Sequence, residues 1–153
     1  MQQRLSTSKL VDGYHKAFID SSVEADTSYS PQFITNSNGK KVLTVIENEL
    51  KGCDDLFISV AFITLEGITP LLGTLNELEG KGIKGRILTT DYLTFSDPRA
   101  LDKLNNLKNL EIKVFKTSGS KGFHTKGYMF HNNGDLRIII GSANLTQSAL
   151  STN

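Results

Sequence analysis

The stretch "DLFISVAFIT", residues 55–64, constrains this chain more than any other. It is a continuous apolar run rich in β-branched and aromatic residues, the pattern of a strand buried on both faces rather than of a surface helix. Such a strand needs neighbours and cover, and the flanking sequence offers both. Before it, "KKVLTVIENELKGC" places Val42, Leu43, Ile46 and Leu50 on one face of an amphipathic helix, with Gly52 near its stop. After it, "EGITPLLGTLNELEGKG" predicts a second helix ending in glycines, and "IKGRILTTD" a second core strand. "SDPRALDKLNNL" predicts a third helix, with Ser96 or Asp97 as its cap and Pro98 in its first turn. "LEIKVFK" alternates as a strand does, and "QFITN" is a short strand candidate upstream. Two last strands, "GFHTKGYMF" and "LRIIIGS", are joined by "HNNGD", in which Asn133-Gly134 is a strong signal for a two-residue hairpin turn.

Helices between the early strands imply parallel crossovers, and the final hairpin adds antiparallel strands. The expected architecture is an α/β fold, a three-layer α/β/α sandwich around a mixed, mainly parallel sheet with a C-terminal β-hairpin. With 153 residues the chain can bury roughly two-thirds of its unfolded surface, enough for one real core. Leu10, Tyr14, Ala17 and Phe18 have helical spacing. Residues 1–30 therefore read as an N-terminal helix and connector, and residues 31–153 as the main domain.

Net charge is only +1, so affinity for nucleic acid has to come from a local patch. From Lys113 to Lys126 there are four lysines and no acid, while Glu47, Glu49, Asp54 and Asp55 gather elsewhere. A short basic run is more often simply a solvated face. Cys53 is the single cysteine, which excludes an intrachain disulfide and a cysteine-based zinc site. No apolar run reaches the ~18 residues of a membrane span, and the N-terminus lacks an apolar signal core. The expectation is a cytoplasmic protein with no membrane partner.

Pairing the last two strands through a turn at Asn133-Gly134 sets Lys126 opposite Gly141 and His124 opposite Ala143. His124 and Lys126 then project from one face, Gly141 permits close backbone approach, and Ser142 and Asn144 follow where the chain leaves the sheet. "LTQSAL" can start a helix there, with its N-terminal amides near the same place. An imidazole that attacks phosphorus or moves a proton, an ammonium, a hydroxyl and a carboxamide form a phosphate-handling set. No carboxylate cluster accompanies them, so the expected chemistry uses no metal. Thr64, Thr90, Asp91 and Tyr92, at the ends of the two core strands, are secondary candidates. Thr64 reads better as a helix cap, and Tyr92 is as suited to packing as to stacking on a base.

"HTK" followed by "GSAN" resembles the phospholipase D superfamily signature, His-x-Lys, Asp, then Gly-Ser-x-Asn. "VLTVIENELKGCDDLFISVAFIT" and "GKGIKGRILTTDYLTFSDPRAL" are similar to the nuclease-like domain at the N-terminus of bacterial DEAD/DEAH-type (superfamily 2) helicases. The resemblance implies a metal-independent phosphodiesterase working through a phosphohistidine. His124 would be the nucleophile or the acid, Lys126 and Asn144 would bind phosphate, and Ser142 would support the oxyanion. It also implies nucleic acid, DNA in the first place, as partner. No cofactor is implied here; ATP belongs only to an absent helicase portion, since neither a phosphate loop of the Walker type nor a DEAD/DEAH box occurs in the chain.

Three features depart from the pattern. The family aspartate falls five residues after Lys126, where this chain has His131. Only one copy of the motif is present, so a two-histidine site requires a homodimer or a second copy in a part of the protein outside this sequence. The acid that usually follows Gly-Ser-x-Asn does not occur before Asn153, which suggests a piece of a longer protein. A rival reading is a module that grips a backbone phosphate without breaking it. Lipid cleavage is the weakest reading, because no membrane-binding stretch is visible.

Overall fold

The chain divides into two units, Met1–Phe33 and Ile34–Asn153. The computed structural model describes residues 32–37, 39, 41–119 and 121–152, and the helix expected over the N-terminal segment lies outside them. The second unit carries α1 (Val42–Gly52), β1 (Asp55–Val60), α2 (Leu65–Ile68) and, after a 3-10 turn at Thr69–Leu71, α3 (Leu72–Gly80). It continues with β2 (Lys84–Thr90), a 3-10 turn at Tyr92–Thr94, α4 (Pro98–Asn105) and β3 (Leu110–Phe115). The hairpin strands β4 (Lys126–Asn132) and β5 (Asp135–Ile140) follow, and α5 (Gln147–Ser151) closes the order.

The five strands form one mixed sheet in the order β3-β2-β1-β4-β5. β1 pairs parallel to β2 and antiparallel to β4, β2 pairs parallel to β3, and β4 pairs antiparallel to β5. The hairpin register is the one the Asn-Gly turn demands: Asn132 faces Asp135, and Gly127 faces Ile140. Asn133 and Gly134 both take positive φ, +49° and +90°, as a primed two-residue turn requires.

Both parallel crossovers step in the same direction across the sheet. Right-handed connections then put both sets of helices on one face. The core is accordingly one cluster, in which Ile46, Leu50, Ile68, Leu78 and Leu104 of the helices meet Leu56, Ile58, Val60, Ile87, Tyr128 and Phe130 of the strands. Of the three layers expected, the described residues supply two. β1 alternates half-buried and buried residues instead of being buried on both faces. Its second face carries Phe57, whose ring lies 5.7 Å under the Arg86 guanidinium, and that arginine reaches Asp55 at 3.5 Å. On the same face of the edge strand β5, Leu136, Ile138 and Ile140 are exposed.

Two expectations on local structure change. The single helix expected over residues 66–82 breaks at Pro70, which has no amide hydrogen to continue an α-helical ladder. "QFITN" is not a strand: Asn36 sits at φ +56° and uses its side chain instead, accepting from the Val42 amide (2.8 Å) and donating to the Ala149 carbonyl (2.8 Å). At the start of α4 it is Asp97 that caps, accepting from the Arg99 amide. Ser96 ties the preceding loop to the Ile63 amide (3.3 Å) and the Thr90 carbonyl (3.4 Å).

Candidate phosphate site

β4 begins at Lys126, so His124 precedes the strand rather than lying on it. The ladder ends where the Gly141 amide donates to the Lys126 carbonyl at 3.4 Å, and no pair forms between His124 and Ala143. The two side chains still adjoin. Lys126 Nζ stands 3.1 Å from His124 Nδ1 and 3.1 Å from the His124 carbonyl oxygen. His124 is exposed and Lys126 half-buried, and that burial lowers the lysine's pKa from its ordinary 10.5. An ammonium has only donors, so a hydrogen bond here makes Nδ1 the acceptor, which in a neutral ring leaves the proton on Nε2.

The Gly-Ser-x-Asn segment reaches the same end of the sheet through β1. Asn144 Oδ1 accepts from the Phe62 amide (3.2 Å), the Leu145 amide donates to the Phe62 carbonyl (3.1 Å), and the Thr64 amide donates to the Leu145 carbonyl (2.9 Å). The buried Tyr128 hydroxyl donates to the Ala143 carbonyl (2.9 Å) and fixes the segment from below. With Oδ1 engaged, Asn144 has its Nδ2 group to offer a ligand. Phe62 joins the two halves: its backbone is held by Asn144, and its ring meets the His124 imidazole edge-on with centroids 5.7 Å apart. Ser142 is exposed in the loop between Gly141 and Asn144.

The sequence assigned the close backbone approach to the wrong glycine. A Cβ on Gly141 would meet nothing within 4 Å, whereas one on Gly67 would run into the backbone of Leu145 and Thr146. Gly67 in α2 is what lets the helix lie against the Asn144–Thr146 segment. Neither Phe62 nor Gly67 stood out in the sequence, because each matters through a partner more than seventy residues away.

The helix at the C-terminal end forms, but Thr146 caps it, its hydroxyl accepting from the Ala149 amide. Thr64 is likewise a cap, accepting from the Gly67 amide at 3.2 Å. The Asp91 carboxylate is taken up by the Thr117 amide (2.8 Å) and hydroxyl (2.9 Å), which hold it below its ordinary pKa of 3.8. Thr90 donates to the Phe115 carbonyl. Tyr92 remains exposed. His131 lies on β4 at the other end of the strand from Lys126, facing Asp55 and Leu136.

Among the described residues no group of three His, Cys, Asp or Glu side chains is arranged to hold a metal ion. No helix among them is long and apolar enough to cross a membrane. A cavity of about 440 Å³ bounded by Leu43, Glu66, Gly67, Pro70 and Leu150 lies apart from the polar set; none of His124, Lys126, Ser142 or Asn144 lines it. The arrangement around His124 is thus a group of hydrogen-bond donors, one of them cationic, open to solvent.

A family model described as "NgoFVII restriction endonuclease N-terminal PLD domain" matches residues 40–153. No curated protein matches the sequence. Among solved structures, the polyphosphate kinase from Porphyromonas gingivalis aligns at 17% identity and a TM-score of 0.41. That alignment covers 65% of this chain and 16% of the kinase chain.

Proposed function

Since this chain belongs to the family of the NgoFVII restriction endonuclease N-terminal PLD domain, we propose that it is a phosphodiesterase-type module that acts on DNA. The observation that carries this reading is the contact between Lys126 Nζ and His124 Nδ1 at 3.1 Å, with Asn144 tied to the same end of the sheet through Phe62. A backbone phosphate arriving at this place draws the Lys126 ammonium away from Nδ1, because a full negative charge is the better acceptor. The imidazole is then released to change tautomer. With the proton on Nδ1, Nε2 can attack phosphorus in line, forming an N–P bond as the P–O bond to the leaving oxygen breaks. Lys126 and Asn144 hold the equatorial oxygens of the five-coordinate transition state. The leaving oxygen requires a proton, and a second copy of His124, brought by a homodimer, would provide it. The reading needs no metal ion and no other cofactor. The sequence resemblance alone supports a further step, that the module is borne by an ATP-dependent helicase.

The decisive experiment incubates the protein with single- and double-stranded DNA in excess EDTA. Cleavage that persists under chelation and disappears in His124→Ala supports the proposal; activity strictly dependent on Mg²⁺ overturns it.

A second reading is favoured by the tautomer. While Lys126 donates to Nδ1, Nε2 carries hydrogen, and the imidazole is a donor rather than a nucleophile. In that state the site positions a phosphate without cutting it. Salt-dependent binding weakened by Lys126→Ala, with no product at any enzyme concentration, decides for this reading.

A further inference from the structure

Beside the phosphate site the surface is unusually apolar. The turn after β2 presents Tyr92, Leu93 and Phe95 at 43%, 59% and 55% exposure. Leu93 and Thr94 both occupy the left-handed region, at φ +53° and +54°, which non-glycine residues seldom adopt. The conformation is held from both sides. Before the turn, Thr90 accepts from the Tyr92 amide (3.2 Å) and Asp91 is locked to Thr117. After it, Ser96 and the Asp97 amide, which donates to the Ile63 carbonyl (2.8 Å), secure the exit. A rigid scaffold is therefore holding an unfavourable backbone and keeping large apolar side chains in water.

The packing of Phe95 ties this turn to His124. Phe95 packs edge-on against Phe62 with centroids 5.1 Å apart, and Phe62 packs edge-on against His124 at 5.7 Å. An unbroken line runs from the phosphate-binding imidazole through one aromatic ring to a second, exposed one. Phe123, next to His124 in sequence, stacks on Phe115 at 5.6 Å. Lys116 and Lys121 are exposed nearby in sequence, and the charge of Lys116 helps hold Asp91 ionised. A ligand that joins an anion to a flat, weakly polar ring, in a field of positive charge, is a nucleotide.

We infer that Tyr92, Leu93, Phe95 and Phe62 form a platform on which an unpaired nucleobase stacks while its phosphate lies against His124 and Lys126. This rests on the phosphate-site reading above and adds the substrate class. A base can reach Phe95 only outside a duplex stack, so the platform selects single-stranded, frayed or extruded nucleotides.

Two probes separate the platform from the phosphate site: a short oligothymidylate, and a backbone of equal length in which every sugar lacks its base. The full chain binds the oligothymidylate roughly 5- to 150-fold more tightly than the abasic backbone, the range one base–aromatic stack covers. Phe95→Ala and Tyr92→Ala remove most of that preference. They leave the affinity for the abasic backbone and the salt dependence unchanged, because the phosphates are still neutralised. Lys126→Ala weakens binding of both probes and flattens the salt dependence. Equal affinity of the wild type for the two probes, or no effect of Phe95→Ala on their ratio, overturns the platform. If Lys126→Ala still weakens both probes in that case, the phosphate site stands. If Lys126→Ala changes neither, the phosphate site falls as well. The comparison of the two probes on wild-type protein does not depend on how any variant folds.

Discussion

At the turn of the β4–β5 hairpin, the Asn133 amide donates to the Asp54 carboxylate at 2.7 Å and the Asp54 amide donates to the His131 carbonyl at 2.7 Å. At the open end, the last ladder bond, from Gly141 to Lys126, stretches to 3.4 Å, and order comes from elsewhere: Tyr128 under Ala143, Phe62 beside Asn144, and Gly67 against Leu145. The turn needs its own two residues and one carboxylate. The open end needs three parts of the chain far apart in sequence. It follows that changes near the turn perturb one local feature, while changes near the open end act on stability and on the proposed phosphate site together.

The sharpest way to break this contrast is Gly67→Ala. The added Cβ meets main-chain atoms of Leu145 and Thr146, which cannot rotate away as a side chain would. Overpacking of that kind costs about 3 kcal/mol, read as a lower denaturation midpoint. The Asn144 segment is displaced by the same push, so phosphate affinity falls in whatever fraction remains folded. A variant as stable as the wild type would show that the open end is not held by this contact.

Lys126→Ala tests the opposite case, a residue at the open end whose main contribution is to the ligand. Removing one charge-assisted contact lowers phosphate or DNA affinity by about 2 kcal/mol with a denaturation midpoint close to the wild type. The pH dependence has a definite sign. Burial lowers the lysine's pKa, the ammonium is the binding form, and it is present only below that value. Wild-type affinity therefore declines on the alkaline side before pH reaches the ordinary lysine value of 10.5, and the Lys126→Ala protein lacks this decline. Affinity that stays constant up to that pH would remove Lys126 from the site.

Tyr128→Phe deletes one hydroxyl and keeps the ring. The Ala143 carbonyl is left without its buried donor, at about 1–2 kcal/mol in denaturant unfolding. At the turn, Gly134→Ala forces a Cβ into φ +90° with nothing around it to clash. It costs about 1 kcal/mol, entirely from backbone conformation, and leaves phosphate affinity untouched. The pair sharpens the comparison, since both are small in stability and only Tyr128→Phe reaches the site.

The sequence made the turn end readable because the determinants of its register are contiguous: Asn133-Gly134 between two apolar runs specifies turn and register at once, and the observed pairing agrees, while the Asp54 contact comes from 79 residues away. The parallel order and the existence of β1 and β2 were equally readable from the apolar runs, although β1 is buried on one face only. The helix over residues 66–82 was not, because Pro70 interrupts an apolar pattern that otherwise continues through it. The pairing of His124 with Lys126 was legible as spacing, yet the reason given, two side chains on one strand face, differs from the contact observed. Tyr92 was legible as a candidate for stacking on a base, but Gly67, Phe62, Leu93 and Phe95 stayed hidden. A crowded glycine or an exposed ring is defined by what lies across from it, and sequence order does not record that.

His131 is the smallest and most discriminating case. It occupies the position at which the family pattern has an aspartate, five residues and about 17 Å along the strand from Lys126. It is directly opposite Asp55, with Asp54 one residue further on. An aspartate here would set two like charges across one antiparallel pair, which is unfavourable, whereas an imidazole is not. His131→Asp is expected to lower stability by about 0.5 kcal/mol at low salt, with the loss shrinking as salt is added. His131→Ala should change stability by less than about 0.5 kcal/mol in either direction. Neither should alter phosphate affinity. A gain of affinity or activity in His131→Asp would mean that the two ends of β4 are coupled after all, and the separation between a turn tied only to Asp54 and a dependent site would have to be abandoned.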